Sequence, residues 1–177
     1  MIDLTAARTA HVVAVQPVGH PATKRFEVVY GEHYRNVYRY VLALTRSHED
    51  AEDLAAEAFE RAFRAWSTGS PPERPLPWLL LTARRIATDR WRRARRGVSA
   101  LFDRGTEQDL RRTEFWLWFD SLATVLSDRQ REALVLRYQR DLTDDEIATV
   151  MGLTRSGLRS LVARALEALR AHPELFA

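Results

Sequence analysis

The chain has 177 residues, 46% apolar and 29% charged, a mixture that supports a folded core and excludes wholesale disorder. It contains no cysteine, which excludes a disulfide framework, a thiolate zinc site and a cysteine nucleophile, and no apolar run approaches the ~20 residues of a membrane-spanning helix. The net charge of +3 conceals a sharp division: residues 84–96 hold seven Arg and one Asp, while residues 49–60 hold six acids and no base. A chain partitioned in this way meets partners through charge, and the arginine window suits a polyanion. Of its 27 basic residues only Lys24 is a lysine, and guanidinium groups suit phosphate and base-edge contacts.

Residues 1–22 lack a sustained period and carry Pro17, Gly19 and Pro21, so they read as a disordered tail. They have no compact apolar segment behind a basic start and are not read as a secretory signal, which leaves the cytoplasm as the default compartment. From Lys24 a helical period begins through Phe26, Val29, Tyr30, His33, Val37, Tyr40, Val41 and Leu44, and it runs to about Arg46. Ser47 with Asp50 three residues on approximates a capping box for a second helix over 48–66, whose apolar face is Ala51, Leu54, Ala55, Ala58, Phe59, Ala62, Phe63 and Trp66. Its early acids sit where the helix dipole favours them.

Residues 67–77 hold Gly69 and four prolines and read as a loop, with Pro77 acceptable in the first turn of a third helix over 78–95. That helix interleaves Trp78, Leu79, Leu81, Ile86 and Trp91 with arginines. Residues 97–113 are poor in apolar positions and read as a linker. A second helical unit opens near Glu114, with Phe115, Trp116, Trp118, Phe119, Leu122 and Leu126 on one stripe. Ser127 with Gln130, and Thr143 with Glu146, make two further capping boxes. No period-2 strand survives. The expected architecture is all-α: a three- or four-helix domain over 23–97, a linker over 98–113 and a helix-turn-helix domain over 114–177.

The helix-turn-helix reading rests on residue types at fixed offsets. Ala148 is small where two helices cross, Gly152 turns the chain, and Ile147, Met151, Leu153, Leu158 and Leu161 hold helices 144–151 and 155–170 together. Thr154 caps the second of these, which carries a net +3 over 154–170 and projects Arg155, Ser156, Arg159, Ser160 and Arg164 outward. That pattern suits insertion into a DNA major groove, against the plainer reading of a helical hairpin that binds nothing.

Two further features need separate explanations. The acids of residues 49–60 suggest metal or acid/base chemistry, and His48-Glu49-x-x-Glu52 is half of a zinc-protease helix, but the second histidine is missing. A solvated acidic face and a protein-docking face through Leu54, Glu57 and Arg61 both remain. The Arg/Trp helix suits single-stranded DNA, with guanidinium groups tracking phosphates while aromatic faces stack bases. The alternative places Trp78 and Trp91 in the core and leaves the arginines solvated. There is no nucleophile elbow and no phosphate-binding glycine loop, so the chain is not read as an enzyme, and neither a cofactor nor a metal site is expected.

Three blocks in order carry a resemblance: YGEHYRNVYRYVLALTRSHEDAEDLAAEAFERAFRAW, PWLLLTARRIATDRWRRARR and LSDRQREALVLRYQRDLTDDEIATVMGLTRSGLRSLVARALEALR. They resemble regions 2 and 4 of an extracytoplasmic-function (ECF) sigma factor, a minimal member of the sigma-70 family of bacterial transcription initiation factors. The resemblance implies that Asp50, Glu52, Asp53, Leu54, Glu57 and Phe59 dock on core RNA polymerase. It implies that the loop 67–75 and Arg84, Arg85, Arg90, Trp91, Arg92, Arg93, Arg95 and Arg96 capture the melted minus-ten strand, where a base is flipped from the stack. Arg155, Ser156, Arg159, Ser160 and Arg164 would then read the minus-thirty-five duplex. It also implies an anti-sigma factor as a partner. Four positions depart from the family pattern: Ala56 for Gln, Arg85 for Asn, Gly157 for Thr and Leu161 for Arg. The alternative function is a stand-alone helix-turn-helix regulator, which needs no docking helix.

Overall fold

The computed structural model describes residues 21–67, 71–95, 121–139 and 141–176. Helix α1 spans Pro21–Thr45, α2 His48–Ser67 and α3 Pro75–Arg95. Two of these start earlier than the periodicity predicts. Proline explains both differences: Pro21 and Pro75 open their helices and Pro77 lies in the first turn of α3, where a backbone N–H has no intrahelical acceptor to lose. The expected loop before α3 is correspondingly shorter, and of the expected tail only residues 21 and 22 are described, both helical.

The three helices pack through the faces that the pattern marks. α2 buries Ala51, Leu54, Ala55, Ala58, Phe59, Ala62 and Trp66, its alanines allowing close approach. α3 buries Leu76, Leu79, Leu80, Ala83, Ile86 and Ala87, the i, i+3, i+4, i+7 spacing of one helical stripe. α1 contributes Val29, Val37, Tyr40, Val41 and Leu42. Each fully buried leucine-sized side chain stabilises the fold by about 1.5–3 kcal/mol.

In the described part of the second unit a 3₁₀ turn, Leu122–Thr124, is followed by α4 Asp128–Arg137, α5 Asp144–Met151 and α6 Arg155–Arg170 and by a further 3₁₀ turn, Pro173–Phe176. Both expected capping boxes are present: the Ser127 and Thr143 side chains accept the N–H groups of Gln130 and Glu146, whose side chains return to the cap N–H groups. Gly152 closes α5 at φ 64°, ψ 43°. The Leu153 N–H bonds to the Ala148 carbonyl at 2.8 Å and the Gly152 N–H to that of Thr149 at 3.2 Å, the bond pattern of a left-handed helix stop. Thr154 caps α6 by accepting the Gly157 N–H at 3.1 Å. The stretches 1–20, 96–120 and 68–70 lie outside the described residues, and with them most of the expected tail, the linker 98–113, the start of the helix near Glu114, and Gly69.

The two units are not held apart. α1 packs against α4 and α3 against α5, and Ala133, Leu136, Ile147, Ala148, Val150, Met151 and Leu158 join the N-terminal residues in one continuous buried cluster. A smaller cluster of Leu122, Leu126, Leu134, Ala165 and Leu169 seals the far side of the C-terminal unit.

Candidate functional site

Along α2 the acids and the apolar residues face opposite ways, and this corrects part of the expected docking set. Leu54 and Phe59 are each only 2% exposed. They belong to the core, because α2 can bury just one stripe and both residues fall on it. Glu52 and Asp53 are exposed, and Asp50 and Glu57 are half-buried. Burial lifts the Asp50 carboxyl above the ordinary aspartate range, against the opposing pull of the Ser47 hydroxyl and of Arg90. The rim of this face is aromatic, a feature sequence reading missed. Phe26 meets Phe63 edge-on at 5.0 Å, Tyr30 meets Phe59 at 4.8 Å and Tyr30 stacks on Tyr34 at 5.0 Å. Tyr30 and Phe63 are both 42% exposed. The i, i+4 spacing of Phe26, Tyr30, Tyr34 and Tyr38 carried that signal.

The half zinc motif finds another use. The Tyr38 hydroxyl and His48 Nδ1 lie 2.5 Å apart, which ties α1 to the start of α2. Among the described residues no three His, Asp or Glu side chains converge on a point that could hold a metal.

The α3 arginines divide into two sets. Arg85, Arg92 and Arg93 are exposed, and Trp91 beside them is 37% exposed. Trp78 instead packs on Trp66 at 5.1 Å, the core reading. Arg84 and Arg90 are half-buried and engaged. Arg90 donates to Glu57 Oε2 at 2.7 Å, and Arg84 Nε donates to Glu132 Oε1 at 2.7 Å. α3 ends at Arg95, and Arg96 lies outside the described residues.

On α6 all five expected side chains, Arg155, Ser156, Arg159, Ser160 and Arg164, are exposed. Arg155 lies 3.4 Å from Asp145 and Arg159 3.7 Å from Asp144, so acids of α5 orient the first turn of α6. The departures from the family pattern also find places. Ala56 and Arg85 are exposed, while Leu161 is half-buried against the core and takes no place on the outward face. At Gly157 a Cβ would meet the Thr154 cap hydroxyl at 3.1 Å, so a larger residue there crowds the cap even as it gains helix propensity.

The helix order, the helix-turn-helix geometry and the paired charged faces agree with the comparisons to known proteins. Residues 29–97 match the model of sigma-70 region 2, and residues 124–171 match that of sigma-70 region 4. The chain is 31% identical over 150 residues to the ECF RNA polymerase sigma factor SigL of Mycobacterium tuberculosis, covering 80% of this chain and 85% of SigL. The chain belongs to the ECF group of the sigma-70 family. It is an RNA polymerase sigma factor.

This sigma factor is also 27% identical over 150 residues to SigM of Bacillus subtilis, covering 81% of this chain and 91% of SigM. Among solved structures it shares the fold of the sigma factor RpoE of Bartonella quintana, crystallised with the anti-sigma factor NepR, at a TM-score of 0.68 and 20% identity over 86% of this chain and 97% of that one. The region 2 match over 29–97 removes the stand-alone regulator, which has no use for that domain. Sequence reading of the sigma factor missed Tyr40, Arg74, Glu132 and Glu146 as a group. Glu132 is 7% exposed and accepts the Tyr40 hydroxyl at 2.8 Å as well as Arg84. Arg74 Nε lies 2.7 Å from Glu146 Oε1, and Arg74 also donates to the Asp141 carbonyl. Glu132 within α4 gives no sequence signal of this kind, since its partners lie 92 and 48 positions away.

Proposed function

We propose that this sigma factor divides initiation among three charged faces. The exposed acids of α2 (Glu52 and Asp53, with Asp50 and Glu57 at their edge) and the aromatic rim of α1 dock on core RNA polymerase. The Arg74 loop and the outer arginines of α3 hold the melted minus-ten strand, with Trp91 available for stacking. α6 reads the minus-thirty-five duplex through Arg155, Ser156, Arg159, Ser160 and Arg164. The observation that carries this reading is that one small fold exposes an acidic helix face and two separate arginine faces, as a protein that bridges polymerase and DNA requires.

The action is non-enzymatic: the chain recruits polymerase, stabilises open promoter DNA and leaves the chemistry to its partner. It works in the cytoplasm, where polymerase meets promoters; among the described residues no helix is long and apolar enough to cross a membrane. The RpoE likeness, in a complex with NepR, supports an anti-sigma factor as a further partner. Abortive transcription from promoter DNA by core polymerase, with and without this chain, tests the reading. Transcription that does not depend on the chain would sink it. Asp53→Lys should weaken polymerase binding and leave DNA affinity unchanged, and equal polymerase affinity would refute the docking face.

A further inference from the structure

Two carboxylates stand among the arginines of the helix-turn-helix face. Asp144 and Asp145 lie in the first turn of α5, and each has an arginine of α6 within ion-pair distance. Arg155 Nη1 donates to Asp145 Oδ2 at 3.4 Å, and Arg159 Nε lies 3.7 Å from Asp144 Oδ2. Arg164 turns elsewhere, donating its Nε–H to the Ser160 carbonyl at 3.3 Å. The third acid of that turn, Glu146, is engaged in the Thr143 capping box and by Arg74.

The helix dipole favours acids at this place, so a purely stabilising role for Asp144 is the plain alternative. Three features point past it. The first is how firmly the carboxylate is held. Its Oδ1 accepts from Arg137, in the last turn of α4, and its side chain is only 19% exposed against 63% for Arg159. Exposed ion pairs gain little because two flexible side chains are ordered at once. Here α4 has already fixed the carboxylate, so only Arg159 has freedom to lose. The second feature is the atom in contact. With Nε facing Asp144, the terminal Nη1 and Nη2 groups of Arg159 are left for DNA, and they make the fork that matches O6 and N7 of guanine. The third is charge. A backbone phosphate seated on Arg159 shares one guanidinium with the Asp144 carboxylate, closer to it than a Debye length at physiological salt. A guanine edge brings only partial charge to the same place. The carboxylate therefore disfavours the phosphate contact more than the base contact, and a contact disfavoured selectively is a source of specificity.

Building on the proposed duplex-reading role of α6, we propose that Asp144 is a positioning residue for sequence selectivity. Held by Arg137, it aims Arg159 at a base edge rather than at a phosphate, and so raises the ratio of specific to non-specific duplex binding. Asp145 adds to the repulsion of phosphate, but its pair with Arg155 is exposed on both sides and fixes no side chain.

The test reads selectivity and non-specific affinity separately. Sequencing the duplexes that the full-length chain on core polymerase retains from a randomised pool gives the base preference at each position. The parent should show one guanine preference that Arg159→Ala abolishes. Asp144→Asn should cut that preference about tenfold and leave the other positions as they are. Added to Arg159→Ala, it should cause no further loss, because it acts through that arginine. On a mixed-sequence duplex, the full-length Asp144→Asn chain should bind severalfold more tightly than the parent, with a salt slope steeper by about one, since the released Arg159 takes a phosphate. A merely structural role moves these readouts differently: loosened packing lowers specific and non-specific affinity together. Asp144→Glu restores the charge one methylene further out. It should return non-specific affinity to the parent's value and recover only part of the preference, and it covers the case in which Asp144→Asn fails to fold. A parental guanine preference in both Asp144 variants overturns the positioning role. A lost preference with unchanged non-specific affinity and slope overturns the repulsion of phosphate. A parent that retains no preferred sequence, or one indifferent to Arg159→Ala, overturns duplex reading through Arg159 itself, a failure visible without any Asp144 variant.

Discussion

Glu57 of α2 and Arg90 of α3 are joined at 2.7 Å, and the other oxygen of the same carboxylate takes Arg61 at 2.7 Å. The acidic helix and the arginine helix thus share a charge at their seam. One side chain expected at the polymerase face fixes the position of another expected at the DNA face, so a disturbance at α2 reaches α3 through a single residue.

That seam is sensitive to acid. Burial alone would raise the Glu57 carboxyl, but the bonds and charges of Arg90 and Arg61 outweigh it, and the group ionises below the ordinary glutamate range. A carboxylate with a depressed folded value contributes stability that is complete above its unfolded value and is lost as pH falls through the folded one. Glu57→Gln should cost about 1 kcal/mol at neutral pH. Its melting temperature should then fall less steeply than the parent's between about pH 5 and pH 3. Parallel pH profiles for the two proteins would show that the seam contributes nothing.

Two residues occupy the same left-handed region and should respond with opposite signs. Gly152 stops α5 at φ 64°, with open space where a Cβ would be, so Gly152→Ala meets no clash and pays only the backbone strain, about 1 kcal/mol. Arg46 closes α1 at φ 61°, with its N–H on the Leu42 carbonyl at 2.8 Å. Arg46→Gly relieves the same strain and should stabilise by up to about 1 kcal/mol, less whatever the guanidinium contributes. Urea unfolding of both variants checks the pair, and shifts of equal sign would contradict it.

Much of this could be read before any coordinates. Ser127, Thr143 and Gly152 marked helix boundaries that hold to the residue, because caps and left-handed stops are local chemistry written in adjacent side chains. The α6 face was legible for the same reason: a short helix with one apolar stripe leaves its arginines nowhere to go but outward. Leu54 and Phe59 were misplaced because family likeness assigned a whole segment to docking, whereas helical geometry splits that segment into an inner and an outer stripe. Glu132 was invisible. Its meaning depends on Tyr40 and Arg84 arriving from two other helices, and no local period encodes that meeting.

Leu158 is the largest fully buried side chain that α6 contributes to the helix-turn-helix. Leu158 is 1% exposed and lies on the inner face of α6 in the cluster shared with Ile147 and Met151 of α5. Leu158→Ala leaves a cavity where neither helix can collapse without moving the cap at Thr154. It should cost about 2–5 kcal/mol and lower duplex affinity through loosened presentation of Arg155 and Arg159. Unfolding curves measure the first effect and duplex titration the second. A cost below 1 kcal/mol, within the range of an ordinary surface change, would mean that α5 and α6 are held by other residues.

The outer arginines of α3 give the sharpest electrostatic test. Arg92 and Arg93 are exposed near the end of the helix beside the half-open Trp91 ring, free of the carboxylates that hold Arg84 and Arg90. If each neutralises a strand phosphate, each releases bound counterions, and affinity falls linearly with the logarithm of salt concentration. Arg92→Ala with Arg93→Ala should weaken single-strand binding and promoter opening, and should reduce the salt slope by about one per arginine. Folding stability should stay within about 0.5 kcal/mol of the parent, as for surface changes away from packed sites. Weaker binding with an unchanged slope would place these arginines on bases rather than phosphates. Unchanged binding would remove the outer face of α3 from strand capture and leave that role to the two arginines held by Glu57 and Glu132.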